Sequence, residues 1–387
     1  MKENERPYAL FLVSVPWIGR GPVHKLLEYF GSPEAVFRSS DAELIQAAGR
    51  SNIGSLLEFR RKEDVFGKYD EIIRSGMKIV FFGEDDYPKR LEQIPDPPYA
   101  LFYYGTLPDE SRMSVAVIGA RQCSAYGKKL AKELGRELGK NDINVISGMA
   151  VGIDGISQLS CVEAGGYSVA VLGSGADVCY PEENTALYER LKQTGCVLSE
   201  YPPGTKPKPA FFPPRNRIVS GLSDAVVVLE ARTRSGTLIT VDMALDQGKD
   251  IYAAPGRLGD SLSAGCNGLI GHGARIYLEP GIFMKDLAED HSDVCVREYI
   301  KPSFDSPRDK RHRDYSGSTE KEPDLEENYL EIYRELTYFP KGNEEINEAL
   351  LNKGLTSPGD TGIILILMEL CLKGLAVQVS PGQFIKK

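Results

Sequence analysis

SVAVIGARQCSAYGKKLAKELGRELGKNDINVISG, residues 114–148, decides the fold. Its two ends, SVAVIG at 114–119 and INVIS at 143–147, are short continuous apolar runs, the form taken by strands buried on both faces. Between them residues 125–140 repeat apolar positions at helical spacing, and Ser124 stands where the N-cap of that helix belongs. The pattern repeats outward along the chain. Strand-like runs recur at SVAVLG (168–173), CVLSE (196–200), DAVVVLE (224–230) and DIYAAP (250–255), with helical segments at 153–165, 184–194 and 237–247. Apolar strands alternating with helices predict an α/β fold: a Rossmann-like, doubly wound, mostly parallel sheet over residues 76–284.

The flanks differ. Residues 1–75 read as a helical domain of helix-hairpin-helix or SAM-like form, because SVPWIGRGPVHKLLEYFG (14–31) places a tight Pro/Gly turn before an apolar-periodic helix. Residues 285–324 are rich in charged and small side chains with few apolar anchors, and are expected to be a linker. Residues 325–387 carry three short helical segments and the hairpin-like VQVSPGQFIK, an order that predicts a C-terminal winged-helix domain.

With 387 residues, 42% of them hydrophobic, the chain can bury more than one core. YALFLV and IILILM, its longest apolar runs, fall far short of the roughly 20 residues that span a bilayer. The N-terminus MKENERPY has no basic start, apolar stretch and cleavage site in sequence, so a cytoplasmic location is expected. The seven cysteines are scattered without a CxxC pair, and only four histidines occur. Neither a disulfide framework, nor a metal, nor a cofactor is expected.

A net charge of −9 argues against a nucleic-acid partner until it is divided by region. Residues 112–284 hold 18 Lys and Arg against 17 Asp and Glu, a net of +1, leaving −10 for the flanks. Within that middle, GTKPKPAFFPPRNR (204–217) has four basic residues and no acid. Local charge is what attracts phosphate.

In an open parallel sheet, ligands bind beyond the carboxyl ends of the strands. The loops there read GAR (119–121), SGMAVGID (147–154), GSGAD (173–177), EYPPGTKPKP (200–209), EARTRSGT (230–237) and PGR (255–257). Glycines admit close backbone approach, hydroxyls and helix N-termini donate to phosphate oxygens, and arginine adds a planar fork. GxGxxG after the first strand, GxxxxGK[ST] and GxSxG are all missing, which disfavours a dinucleotide enzyme, a P-loop NTPase and a serine hydrolase. Tyr201, Phe211 and Phe212 lie near Lys206, Lys208, Arg215 and Arg217 in sequence, pairing rings with cations as single-stranded nucleic acid requires. The candidate DNA-binding residues are Gly119, Arg121, Ser147, Gly148, Lys206, Phe212, Arg215, Asn216, Arg217, Ser235, Gly236 and Thr237. Arg121, Lys206, Arg215 and Arg217 are expected to hold the sugar-phosphate backbone, aided by amides near Gly148 and Gly236, while Phe212 stacks on a base.

These stretches resemble the DNA-processing protein A (DprA/Smf) family. The matching motifs are GAR with YG (119–127), SGMAVGID, AVLGSGADVCYPEEN (170–184), LSEYPPG (198–204), FPPRNRIVSGLS (212–223), VVVLEARTRSGTLIT (226–240), and APG followed by GCNGLIGHGA (254–274). YPKRLEQIPDPPYALFYYG (87–105) is similar to the family's approach to its first strand. The resemblance implies an extended Rossmann-like form of the sheet domain, single-stranded DNA binding, a homodimer, and loading of RecA recombinase onto DNA taken up in natural transformation, without catalysis. The chain departs from the family at Ala120, where Ser or Thr is common, and at Gln158, where a His often follows GID. An alternative is a nucleotide enzyme of the lysine-decarboxylase-like (LOG) type, which cleaves an N-glycosidic bond with the Glu of PGGxGTxxE. Here Thr240 stands at that position.

Overall fold

The computed structural model describes residues 1–15, 20–48, 50–290, 325–336, 341–355, 358–380 and 382–386. The chain divides into two compact units, Met1–Tyr299 and Ile300–Lys387. Among the described residues, the first unit holds one nine-stranded sheet: β1 (Lys78–Phe81), β2 (Ala100–Gly105), β3 (Ser114–Ile118), β4 (Asn144–Ser147), β5 (Ser168–Val171), β6 (Cys196–Ser199), β7 (Ala225–Val228), β8 (Asp250–Ala253) and β9 (Arg275–Ile276). Its order is β1-β2-β6-β5-β4-β3-β7-β8-β9. Neighbours from β6 to β9 run parallel. At the other end β2 is antiparallel to β6, and β1 to β2.

Before β1 come α1 (Arg6–Ser14), α2 (Arg20–Phe30), α3 (Pro33–Arg38), α4 (Asp41–Ala48), α5 (Arg50–Lys62) and α6 (Val65–Arg74). The short α7 (Lys89–Glu92) joins β1 to β2. Each parallel strand is then followed by a helix: α8 (Ala125–Lys140), α9 (Ile153–Glu163), α10 (Thr185–Thr194), α11 (Phe212–Gly221), α12 (Gly236–Asp246), α13 (Ala264–Gly271) and α14 (Pro280–Asp290). The six strand-like runs of the sequence are strands, and the helical segments agree with α8, α9, α10 and α12 to within about two residues.

Period-two alternation gives the sheet two cores. Val115 and Val117 of β3 face a cluster with Leu130 and Leu134 of α8 and Phe283 and Leu287 of α14. Ala116 and Ile118 face the other way, onto Ile218 and Val219 of α11 and Val241 of α12. A third core joins Leu10, Phe11, Leu26, Val36 and Leu56 of the N-terminal helices to Ile79 and Phe81 of β1 and Ala100 and Phe102 of β2. The chain winds from β3 out to β6, then returns to lay β7 on the other side of β3. That reversal opens a crevice at the carboxyl ends of β3 and β7, where an open α/β sheet places its ligands.

Two features differ from the sequence reading. β1, β2 and β9 were not among the expected strands; β1 and β2 form the antiparallel extension over which the N-terminal helices close. The segment expected to be linker from 285 is helix α14 through Asp290, because Leu287 is buried in the sheet's core. The turn expected near residues 16–19, and the rest of the expected linker at 291–324, lie outside the described residues.

In the second unit the described elements are α15 (Glu327–Glu335), β10 (Lys341–Gly342), α16 (Asn343–Asn352), α17 (Gly359–Leu372), β11 (Ala376–Ser380) and β12 (Gln383–Lys386), with the strands ordered β10-β12-β11. Ile332, Ile346, Leu350, Ile363, Leu367 and Phe384 form its core. No helix among the described residues is long and apolar enough to cross a membrane.

Candidate nucleic-acid interface

At the switch point the loops after β3, β4 and β7 meet the first turns of α11 and α12 around a cleft of about 670 Å³. Gly119 and Arg121 enter from the first loop, and Gly148 from the second. Phe212, Arg215 and Asn216 form the α11 wall, and Ser235, Gly236 and Thr237 the α12 wall. Nine of the twelve sequence candidates thus line one cavity.

Pro213 and Pro214 start α11, a position that suits proline because the first helical amides lack intrahelical acceptors. They leave Arg215 in the first turn, its side chain carried under the cleft. Arg215 is only 5% exposed. Its Nη1 donates to the carbonyl oxygens of Gly148, at 3.1 Å, and Val171, and its Nε donates to Asn216 Oδ1 at 3.2 Å. Glycine at 148 lets the guanidinium seat against the backbone: a Cβ there would lie 2.6 Å from Arg215 Nη2. Burial pulls the Arg215 guanidinium down to about 10, with Asp154 opposing, so it remains a cation at neutral pH.

Asp154, buried at the start of α9, is the acid facing it. Its Oδ2 accepts from the Gly148 amide at 3.2 Å. Burial raises its pKa above the usual carboxylate range, opposed first by Arg215 and then by hydrogen bonds that include the Gly148 and Gly119 amides. The loop between is held from behind. Met149, at φ 54°, donates its amide to Gln158 Oε1 at 3.1 Å, and Asn184 Nδ2 donates to the Met149 carbonyl at 2.9 Å. These bonds hold a non-glycine residue in the left-handed region. Gln158, where the family often has His, is fully buried and also donates to Val169 O at 2.9 Å.

Above this floor the Arg121 guanidinium lies 5.6 Å from the Phe212 ring centroid, and that of Arg215 lies 5.8 Å from it. Tyr180 tilts against the same ring at 5.7 Å. Arg121 is exposed, so the cleft presents one accessible and one buried cation close to the same aromatic ring. Across from them Ser235 is the N-cap of α12 without a side-chain cap bond, and its Oγ is buried with no partner. Exposed Arg232 lines the same side.

Three candidates lie outside the cleft lining. Arg217 lies on the far side of α11, 6% exposed, with Nη1 and Nη2 donating to the two carboxylate oxygens of Glu200 at 2.9 and 2.8 Å and Nε to Asp96 O at 2.8 Å. It is a structural ion pair. Ser147, the last residue of β4, is fully buried and donates its hydroxyl to Val117 O at 2.7 Å. Lys206 is exposed, in the loop after β6, outside the residues that line the cleft. The amide of Gly148, expected to serve a phosphate, is committed to Asp154.

Phe211 stacks on Tyr201, centroids 4.5 Å apart, outside the cleft. The sequence reading missed Asp154, Tyr180 and Arg232 as cleft residues. Asp154 and Arg232 lie in stretches already marked as strand-end loops and Tyr180 in the quoted motif AVLGSGADVCYPEEN, so the signal was position rather than residue type. Ser124 does cap α8, its Oγ accepting from the Gly127 amide at 3.1 Å. Thr240, which stands where LOG-type enzymes carry Glu, lines the cleft and is buried.

A sequence profile for DNA recombination-mediator protein A matches residues 78–288, the whole sheet but its N-terminal helices. The chain belongs to this family, also called DprA/Smf. Protein Smf of Synechocystis is 31% identical over 293 residues, 74% of each chain. DNA processing protein DprA of Streptococcus pneumoniae is 42% identical over 193 residues, half of this chain and 68% of that one. A crystal structure of the pneumococcal protein superposes with a TM-score of 0.63 at 32% identity, covering 72% of this chain and 97% of that one. The Helicobacter pylori DNA processing protein A structure, solved to show that protein's single-stranded DNA binding mode, gives a TM-score of 0.50 at 29% identity over 55% of this chain and 96% of that one.

Proposed function

We propose that this chain is a single-stranded DNA-binding protein that grips the strand in the switch-point cleft and delivers it to RecA recombinase in natural transformation. The observation that carries the reading is the grouping of Arg121 and Arg215 around the Phe212 ring in one cleft with the N-terminus of α12. An exposed guanidinium serves the backbone, an aromatic plane serves a base, and helix amides serve a second phosphate. Membership of the DprA/Smf family and the H. pylori relative's binding of single-stranded DNA support it.

The reading is binding without catalysis. Asp154 accepts bonds from loop amides and faces Arg215, which suits it to hold the floor rather than to transfer a proton. Contacts to phosphate position a strand without reading its sequence, so recognition is general. The cytoplasm as its location, a homodimer as the working form, and a winged-helix role for the second unit, whose described residues form three helices and a three-stranded sheet, complete the proposal.

The test is a fluorescence-anisotropy titration of single-stranded and duplex oligonucleotides over a range of salt. Log K should fall by roughly 0.7 per neutralised phosphate for each decade of salt on the single strand. Equal affinity for duplex and single strand, or binding insensitive to salt, would overturn the reading.

A further inference from the structure

A strand-binding groove needs only cations and flat rings along an open surface. This cleft is instead a concavity of about 670 Å³ with apolar lining from Ile118, Val219, Ala231 and Leu262. Small-molecule sites occupy roughly 300–1,000 Å³ and have this composition, mostly apolar with a few convergent polar groups.

The polar groups are segregated. On one side are the first amides of α12 at Gly236 and Thr237, which have no acceptor within the helix, with the unpartnered Ser235 Oγ and Arg232 beside them. On the other are the Phe212 and Tyr180 rings under Arg121. A second cavity of about 630 Å³ shares Arg121, Phe212, Arg215 and Tyr180 but none of Ser235, Gly236 and Thr237, so the rings lie away from α12. Anion donors at one end, aromatic planes at the other and an apolar middle match one nucleotide.

We propose that the cleft binds a free nucleoside monophosphate, its phosphate at the start of α12 and its base against Phe212, in competition with single-stranded DNA. The competition rests on the strand-binding reading above. A phosphate monoester carries about −1.5 to −2 charges at pH 7, against a single charge on each internal diester of a strand. A helix N-terminus therefore favours the monoester.

The experiment is calorimetric titration of the full chain with dAMP, deoxyadenosine and inorganic phosphate at one ionic strength, followed by displacement of a labelled oligonucleotide by dAMP. Saturable one-to-one binding of dAMP is expected, at least about tenfold tighter than either half alone, with displacement tracking occupancy. Gly236→Asp places its carboxylate in open space and suits a helix N-terminus, so it should fold normally and weaken dAMP binding about tenfold or more. If the oligonucleotide binds and dAMP does not, or dAMP fails to displace it, the inference falls and the strand reading stands. Phosphate binding as tightly as dAMP, or full dAMP affinity in Gly236→Asp, also overturns it. If neither dAMP nor oligonucleotide binds, both readings fall.

Discussion

Arg215 and Arg217 stand two residues apart on α11 yet belong to different regions of the molecule. A helix turns by about 100° per residue, so their side chains leave it about 200° apart. One side of α11 is the cleft wall, where Arg215 bonds to main-chain oxygens and faces an acid already occupied by loop amides. The other side is the seam with the antiparallel extension, where the carboxylate of Glu200 takes both ends of the Arg217 fork. The same residue type lends positive potential to the cleft on one side and is neutralised on the other. A basic stretch predicts an anion site only where no carboxylate takes both ends of the arginine fork, as Glu200 does for Arg217.

The sharpest way to break this contrast is Arg217→Leu. It strands the buried Glu200 carboxylate and should cost about 3–5 kcal/mol in a urea unfolding curve. If the variant is as stable as the parent but loses oligonucleotide affinity, Arg217 belongs to the cleft after all. Next in size is Arg121→Glu, which reverses the accessible cation. It should weaken single-strand binding at least about tenfold at low salt, with unfolding free energy changed by no more than about 0.5 kcal/mol. Unchanged affinity would remove Arg121 from the interface.

The smallest effect is expected for Asp154→Asn. Removing the acid that faces Arg215 should tighten oligonucleotide binding about two- to threefold. Its pH dependence has a definite sign. Burial raises the native Asp154 pKa, so the folded state holds this proton more tightly than the unfolded chain does. Wild-type stability relative to the Asn variant should therefore decline as pH rises from about 4, and level off above the native pKa. A rise over that window would show that Arg215 outweighs burial at this site.

Much of this was legible in the sequence, for reasons that differ by element. β3 to β8 were readable because a strand covered on both faces must be apolar throughout, and the glycines and hydroxyls at their carboxyl ends marked the cleft. β1 and β2 were not, since KIVF and ALFYYG read equally as ends of helices and loops until the partner strand β6 is known. Ser147 was misplaced because one residue decides whether a side chain belongs to the last position of a strand or to the loop beyond it. Arg217 was illegible as an ion pair because its partners Glu200 and Asp96 come from a neighbouring loop and from 121 residues earlier. Asp154 lay in a quoted motif, but its role depends on two amides that only the fold brings to it.

The back of α11 is fixed in a way that bears on how the cleft admits a guest. Gly221 packs so closely on Leu91 and Ile94 that a Cβ would come within 2.9 Å of each, and Gln247 Nε2 clasps the Arg217 carbonyl at 3.0 Å. That helix is an anvil. The facing jaw, Arg232 with the opening turn of α12, is exposed at Arg232, Gly236 and Ile239. Whatever room a bulky guest demands should therefore be made by that jaw, with the arginine and phenylalanine plate opposite serving as a gauge of constant position.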